Sequence, residues 1–144
     1  MSKQRRMIDL IAADGSLQGG ELTIRVRATN DPDRVQLILD LPDRQFRAVA
    51  VDGFEALIAL RLELEPLGLA PVCWGASLQV YPSDASRSVG IGDSAYRLTL
   101  GQFARAADRV NIFDAGPGLV VATVAEQEDF SRAWFDSLAD ALPG

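Results

Sequence analysis

The densest run of potentially reactive side chains in this sequence lies between residues 73 and 101. It holds the only cysteine, Cys73, the only tyrosines, Tyr81 and Tyr96, and the serines Ser77, Ser83, Ser86, Ser88 and Ser94. A serine or cysteine nucleophile needs a neighbouring base, commonly an imidazole, to take its proton. The chain contains no histidine, so neither Ser94 nor Cys73 has that partner. With no imidazole and one thiol, zinc and most iron sites are also excluded, leaving hard oxygen ligands alone. The acidic turn at residues 29–33, TNDPD, lacks the glycine and the distal glutamate of a calcium loop. The expectation is therefore no catalytic residue, no metal and no cofactor. An acid/base pair of carboxylates stays open, because such pairs assemble in space rather than in sequence.

Two local patterns in the same run point to chemistry that their context withholds. Gly92, Asp93 and Ser94 resemble the nucleophile turn of the GDS-type lipases and esterases, a family whose serine depends on a histidine. Gly90, Gly92 and Ala95 fit G-x-G-x-x-A, the spacing that brings a backbone close to a pyrophosphate at a helix N-terminus. That motif leaves a strand and opens a helix, whereas here a serine-rich loop precedes it and the strand-like AYRLTL follows. A glycine turn between two elements accounts for it. Cys73 ends an apolar segment with no cation beside it in sequence, which is the setting of a small buried hydrophobe rather than a reactive thiolate. Trp74, Tyr81, Asp84, Arg87 and Asp93 remain as polar or aromatic loop residues able to contact a ligand or partner.

Charge narrows the partner. The net charge is −6, which disfavours nucleic acid and anionic membranes and favours a basic protein. The excess sits in two stretches: Asp52, Glu55, Glu63 and Glu65 against Arg61, and Glu126, Glu128, Asp129, Asp136 and Asp140 against Arg132. Thirteen of the fourteen basic residues are arginine, a skew that GC-rich codons explain, so a GC-rich bacterium is the expected source. The apolar run after Arg5 and Arg6 is about six residues long and broken by Asp9, too short for a signal sequence or a membrane span. A cytoplasmic protein is expected.

The elements that must position these residues follow from periodicity. Residues 21–28 alternate Leu22, Ile24 and Val26 with Thr23, Arg25 and Arg27, a half-buried strand. Residues 7–13, 35–41 and 45–51 read likewise, with turn residues between them, so an antiparallel meander opens the chain. A helix follows, with Asp52 as cap, Glu55 three residues on, and Pro66 and Gly68 at its end. Phe54, Leu57, Ile58 and Leu62, widened by Leu60 and Leu64, form its apolar stripe. Arg61 and Glu65 fall inside that stripe, and a rim pair with buried stems and wet heads is expected there. Short strands are expected at 69–74, 77–82, 95–100, 109–113 and 118–123. A second helix starts at Thr123 with Glu126 completing a capping box, and Phe130, Trp134, Leu138, Ala141 and Leu142 are expected as its core face. The fold class is α+β: one domain, residues 1–144, an antiparallel sheet with two amphipathic helices packed on one face.

On the outer side of that second helix, Asp129, Asp136 and Asp140 project within about 40° of one another, with Glu128 beside them. A solvated face is the ordinary meaning of such an acidic ridge. Asp136 and Asp140, however, stand near the helix C-terminus, where the macrodipole disfavours negative charge. Charges placed against a local preference can serve a partner.

Residues 72–135 also resemble a group of small bacterial proteins. The shared segments read here as Cys73 to Ala76 (C-x-G-A), Val80 to Ser83 (V-Y-P-S), Gly90 to Tyr96 (G-x-G-x-x-A-Y), Asn111 to Asp114 (N-I-F-D) and Thr123 to Gln127 (T-V-A-E-Q). The chain departs from that pattern at Trp74, where a polar residue is usual, and in DASRS, where glycine and methionine follow the serine. Small acidic proteins of this type are similar to the immunity partners of polymorphic toxins, which cover a basic enzyme with a charged surface. The resemblance implies a non-catalytic, toxin-binding immunity protein. A carboxylate enzyme and a homo-oligomeric assembly subunit stand as alternatives, and the sequence leaves the oligomeric state open.

Overall fold

A computed structural model describes residues 3–28 and 30–141, the last two by backbone only. The meander forms as β1 (Lys3–Ala12), β2 (Leu17–Val26), β3 (Val35–Asp40) and β4 (Gln45–Ala50). Asp14 closes the first hairpin by accepting from the Ser16 amide at 2.9 Å and from its hydroxyl. Those bonds favour the ionised form and hold the Asp14 carboxyl below its usual value. Helix α1 (Gly53–Leu64) then crosses β3 and β4. Its Phe54, Leu57, Leu60 and Leu64 are fully buried against Leu22, Ile24, Leu37 and Leu39, each such side chain contributing about 1.5–3 kcal/mol.

Asp52 caps α1 as expected, accepting from the Glu55 amide at 2.8 Å. The Glu55 carboxylate does not complete the box. It takes the Arg87 guanidinium at 2.7 Å instead, a charge-assisted bond that outcompetes a backbone amide. Glu65 and Pro66 continue as one 3₁₀ turn, and Gly68, at φ +71°, ends it.

β5 (Leu69–Pro71) returns to pair with β1, giving a curled antiparallel sheet in the order β4-β3-β2-β1-β5. A second sheet, β6 (Val80–Tyr81), β7 (Ser94–Arg97) and β8 (Arg109–Asn111), lies beyond it, with the single helical turn of α2 (Asp84–Arg87) between its first two strands. The architecture is α+β. The expected strand at 118–123 reduces to one bridge, Ser77 to Val121. Residues 73 and 74 likewise leave the strand, and Trp74–Ala76 form a 3₁₀ turn, because the Trp74 and Gly75 amides bond Asp114 and Ile112 rather than β1. The Gly90 and Gly92 pair is a turn between α2 and β7: Gly92 has φ +73°, and a β-carbon there would sit 2.7 Å from that of Asp52.

α3 (Val124–Ser137) begins with a full capping box between Thr123 and Glu126. The bonds that the Glu126 carboxylate makes to Thr123 hold it below its usual value. The helix packs on β6 and α1, and only Val124 and Gln127 are buried. Phe130, Trp134 and Leu138 are half-buried, which corrects the expected core face: the apolar positions are spaced for burial, but the second sheet covers them only in part. Leu142 lies outside the described residues, as does the side chain of Ala141.

Candidate functional site: a groove between α3 and the second sheet

Partial cover leaves a groove of about 780 Å³ along the C-terminal half of α3. Tyr81, Tyr96 and Leu98 form its floor from β6, β7 and the residue after β7, and Trp134 and Phe135 form a wall from α3. Tyr81 and Tyr96 are side by side because they are register partners. Two bonds fix the wall: the Trp134 indole N–H donates to the Gln102 carbonyl at 2.9 Å, and the Gly101 amide donates to the Ser137 hydroxyl at 2.7 Å. Phe135 is 70% exposed. Large aromatic groups left uncovered beside a concave surface mark interaction sites.

The rim carries charge of both signs. Asp84 and Asp136 contribute the acids, Arg105 and Arg132 the bases. The capping box of α2, in which Ser83 and Ser86 each bond the other's backbone amide, sets Asp84 in its place. Arg105 is paired with Asp108, and Arg132 with both Glu128 and Asp129. Among the described residues Asp84 and Asp136 have no salt-bridge partner. They are the rim's uncompensated charges.

The structure divides the expected contact residues. Tyr81, Asp84 and Asp136 meet in the groove. Asp129 and Glu128 lie on the same helix, but their charge is shared with Arg132, at 3.1 Å and 3.7 Å respectively. The side chain of Asp140 lies outside the described residues. Trp74 is not a surface contact: it is buried at 7% exposure, with the Arg97 guanidinium 5.9 Å over its ring. Arg87 is a strut, pairing with Asp52 and Glu55 and lying 5.1 Å over Phe54 and 5.7 Å over Tyr81. Asp93 accepts from the Asn111 amide nitrogen at 3.1 Å and ties β7 to β8. In each of these three cases a neighbour distant in sequence consumes the side chain that would have faced outward.

Arg61, which helix spacing sets inside the apolar stripe, belongs to a buried polar centre that anchors α3. Arg61 and Gln127 are each 1% exposed. The Arg61 guanidinium donates to Gln127 Oε1 at 2.6 Å, to the Gly75 carbonyl at 3.2 Å and to the Ala122 carbonyl at 3.0 Å. Gln127 Nε2 lies 2.9 Å from the carbonyls of Gly75, Ser77 and Val80. Arg61 is thus not in the expected rim pair with Glu65, whose carboxylate accepts instead from the Val124 amide at 2.8 Å. Loss of water pushes the Arg61 pKa down, and burial pushes the Cys73 thiol up to about 11, so Cys73 is the inert hydrophobe expected. A smaller cavity of about 250 Å³ adjoins Arg61 and Glu65, walled by Ile11, Leu69, Pro71 and Val121.

Among the described residues no three His, Cys, Asp or Glu side chains come together as a metal site would require, and no helix is long and apolar enough to cross a membrane. Compared with known proteins, the chain matches no family model and no curated sequence.

Proposed function

We propose that this chain is a non-catalytic protein-binding module, an immunity protein that neutralises a cognate bacterial toxin in the cytoplasm by holding a basic segment of it in the α3 groove. One observation carries the reading. The two uncompensated acids, Asp84 and Asp136, flank an aromatic wall of half-buried Trp134 and exposed Phe135 in a single concavity. Apolar anchors in a desolvated centre with charge at the rim is the layout of a protein interface, in which the aromatics supply affinity and the charges supply orientation and encounter rate.

The test is capture from the source organism's lysate and secreted fraction at low and high salt, with Asp136→Lys and Phe135→Glu variants beside the parent. One basic protein held by the parent, weakened by salt and lost by both variants, supports the reading. A complex that survives both substitutions places the interface elsewhere and removes the groove from the proposal.

A further inference from the structure

The face of the five-stranded sheet turned away from α1 exposes Lys3, Arg5, Met7, Asp9 and Arg47, and its charges are sorted. By register, Lys3, Arg25, Gln36 and Val49 form one row across β1, β2, β3 and β4; Arg5, Thr23, Ile38 and Arg47 form the next; Met7, Glu21, Asp40 and Gln45 form the third. Asp9 follows on β1, opposite Gly19. One end of the face therefore carries four cations and the other three carboxylates. Sorting reaches direct neighbours: Lys3 stands opposite Arg25, and Glu21 opposite Asp40. Like charges directly opposite one another weaken a strand pair, and exchanging Arg25 with Glu21 would relieve both contacts within the monomer. Among the described residues none of Lys3, Arg5, Arg25 or Arg47 has a carboxylate partner, although carboxylates outnumber cations 20 to 14 in the chain.

We infer that this face docks on the same face of a second copy of the chain. An isologous contact requires a self-complementary patch, and a basic half beside an acidic half is one. A twofold axis lying in the interface and perpendicular to the strands sets the Arg5 row over the Met7 row of the second copy, and the Lys3 row over that of Asp9. Lys3 then faces Asp9, Arg5 and Arg25 converge on Glu21, and Arg47 lies beside Asp40 and Gln45. Met7, 71% exposed in the monomer, is the apolar contact of the middle rows, while Thr23 and Ile38 beside it are already covered at 5% and 9% exposure. Four strands and four rows span roughly 19 Å by 27 Å, a patch at the small end of specific interfaces, so the dimer is weak and salt-sensitive. The face contains no aromatic side chain on which nucleic-acid bases could stack, and its acidic half opposes an anionic membrane. This surface is separate from the α3 groove, and the failure of one proposal leaves the other standing.

The test is sedimentation equilibrium of the full chain across a range of concentrations at ~0.05 M and ~1 M salt, where the Debye length shrinks to about 3 Å. The expected result is a mass that rises with concentration from 15.5 kDa toward twice that value at low salt and stays near the monomer at high salt. Arg25→Glu weakens the association by about tenfold or more, Lys3→Glu acts in the same direction, and the swap Lys3→Glu with Asp9→Lys restores it. Circular dichroism of each variant verifies the fold. A monomer under all conditions overturns the inference, as does a dimer indifferent to these reversals or one that the swap leaves broken.

Discussion

Arg61 and Gln127, separated by 66 residues, share a buried hydrogen bond of 2.6 Å that includes no carboxylate. The guanidinium is held by neutral oxygens alone, so its charge is solvated by backbone carbonyls of residues 75 and 122 and one amide side chain. Such a group is costly to disturb from either end, because removing one partner leaves the others unsatisfied out of water.

Arg61→Met should therefore cost about 2–4 kcal/mol, and Gln127→Leu, which strands the guanidinium, a comparable amount. The double variant should lose less than the sum, with a coupling of about 1–3 kcal/mol. Urea unfolding with an unchanged m-value checks both. Additive losses would mean that the two side chains act independently.

Cys73 makes a pH prediction. Burial raises its pKa from the ordinary 9.0 to about 11. The folded state therefore favours the neutral thiol, and that stabilisation is complete below pH 9 and lost as pH rises to about 11. The difference corresponds to roughly 3 kcal/mol. Cys73→Ala should flatten the decline of stability over that window. A thiol reagent at neutral pH should label the native protein only at its rate of opening.

Thr123→Ala should cost about 1 kcal/mol by removing the cap of α3, and it should move the Glu126 carboxyl upward toward its ordinary value only part of the way, since the bond from the backbone amide of residue 123, the larger cause, remains. The stabilisation from the depressed carboxyl is present above that ordinary value and fades as pH falls through the folded one. A carboxyl titration followed by NMR in both proteins reads the change directly.

Gly92→Ala should destabilise by about 2 kcal/mol or more, since φ +73° and the Asp52 side chain both oppose a β-carbon. Gly90→Ala, also at positive φ but in open space, should cost about 1 kcal/mol. Thermal unfolding of the pair separates close approach from backbone preference.

These contrasts show what was legible in the sequence. The meander was readable because Leu22 and Ile24, and Val35 and Leu37, alternate with polar residues across a sheet that is dry on one side. Asp52 and Thr123 announced their helices because caps are local. Arg61 was misread although its position in the apolar stripe was seen: spacing tells which way a side chain points, and only Gly75, Ala122 and Gln127, remote in sequence, decide whether its head stays wet. Phe130, Trp134 and Leu138 show the converse, since an apolar face demands cover without proving that cover exists. Tyr81, Asp84 and Asp136 were each visible as candidates. Their meeting in one groove was not, because it depends on the short second sheet, whose strands of two to four residues carry too little periodicity to be bounded.

The Arg61 centre also bears on how the chain is made. Synthesis delivers β1 to β4 and α1, whose contacts are between near neighbours, before any of the oxygens at residues 75, 122 and 127 has left the ribosome. The nascent N-terminal half thus carries a guanidinium in the middle of its helix stripe with nothing yet to satisfy it. Its head must stay hydrated, keeping that side of the stripe from sealing against the wrong surface, until the last helix arrives and expels the water.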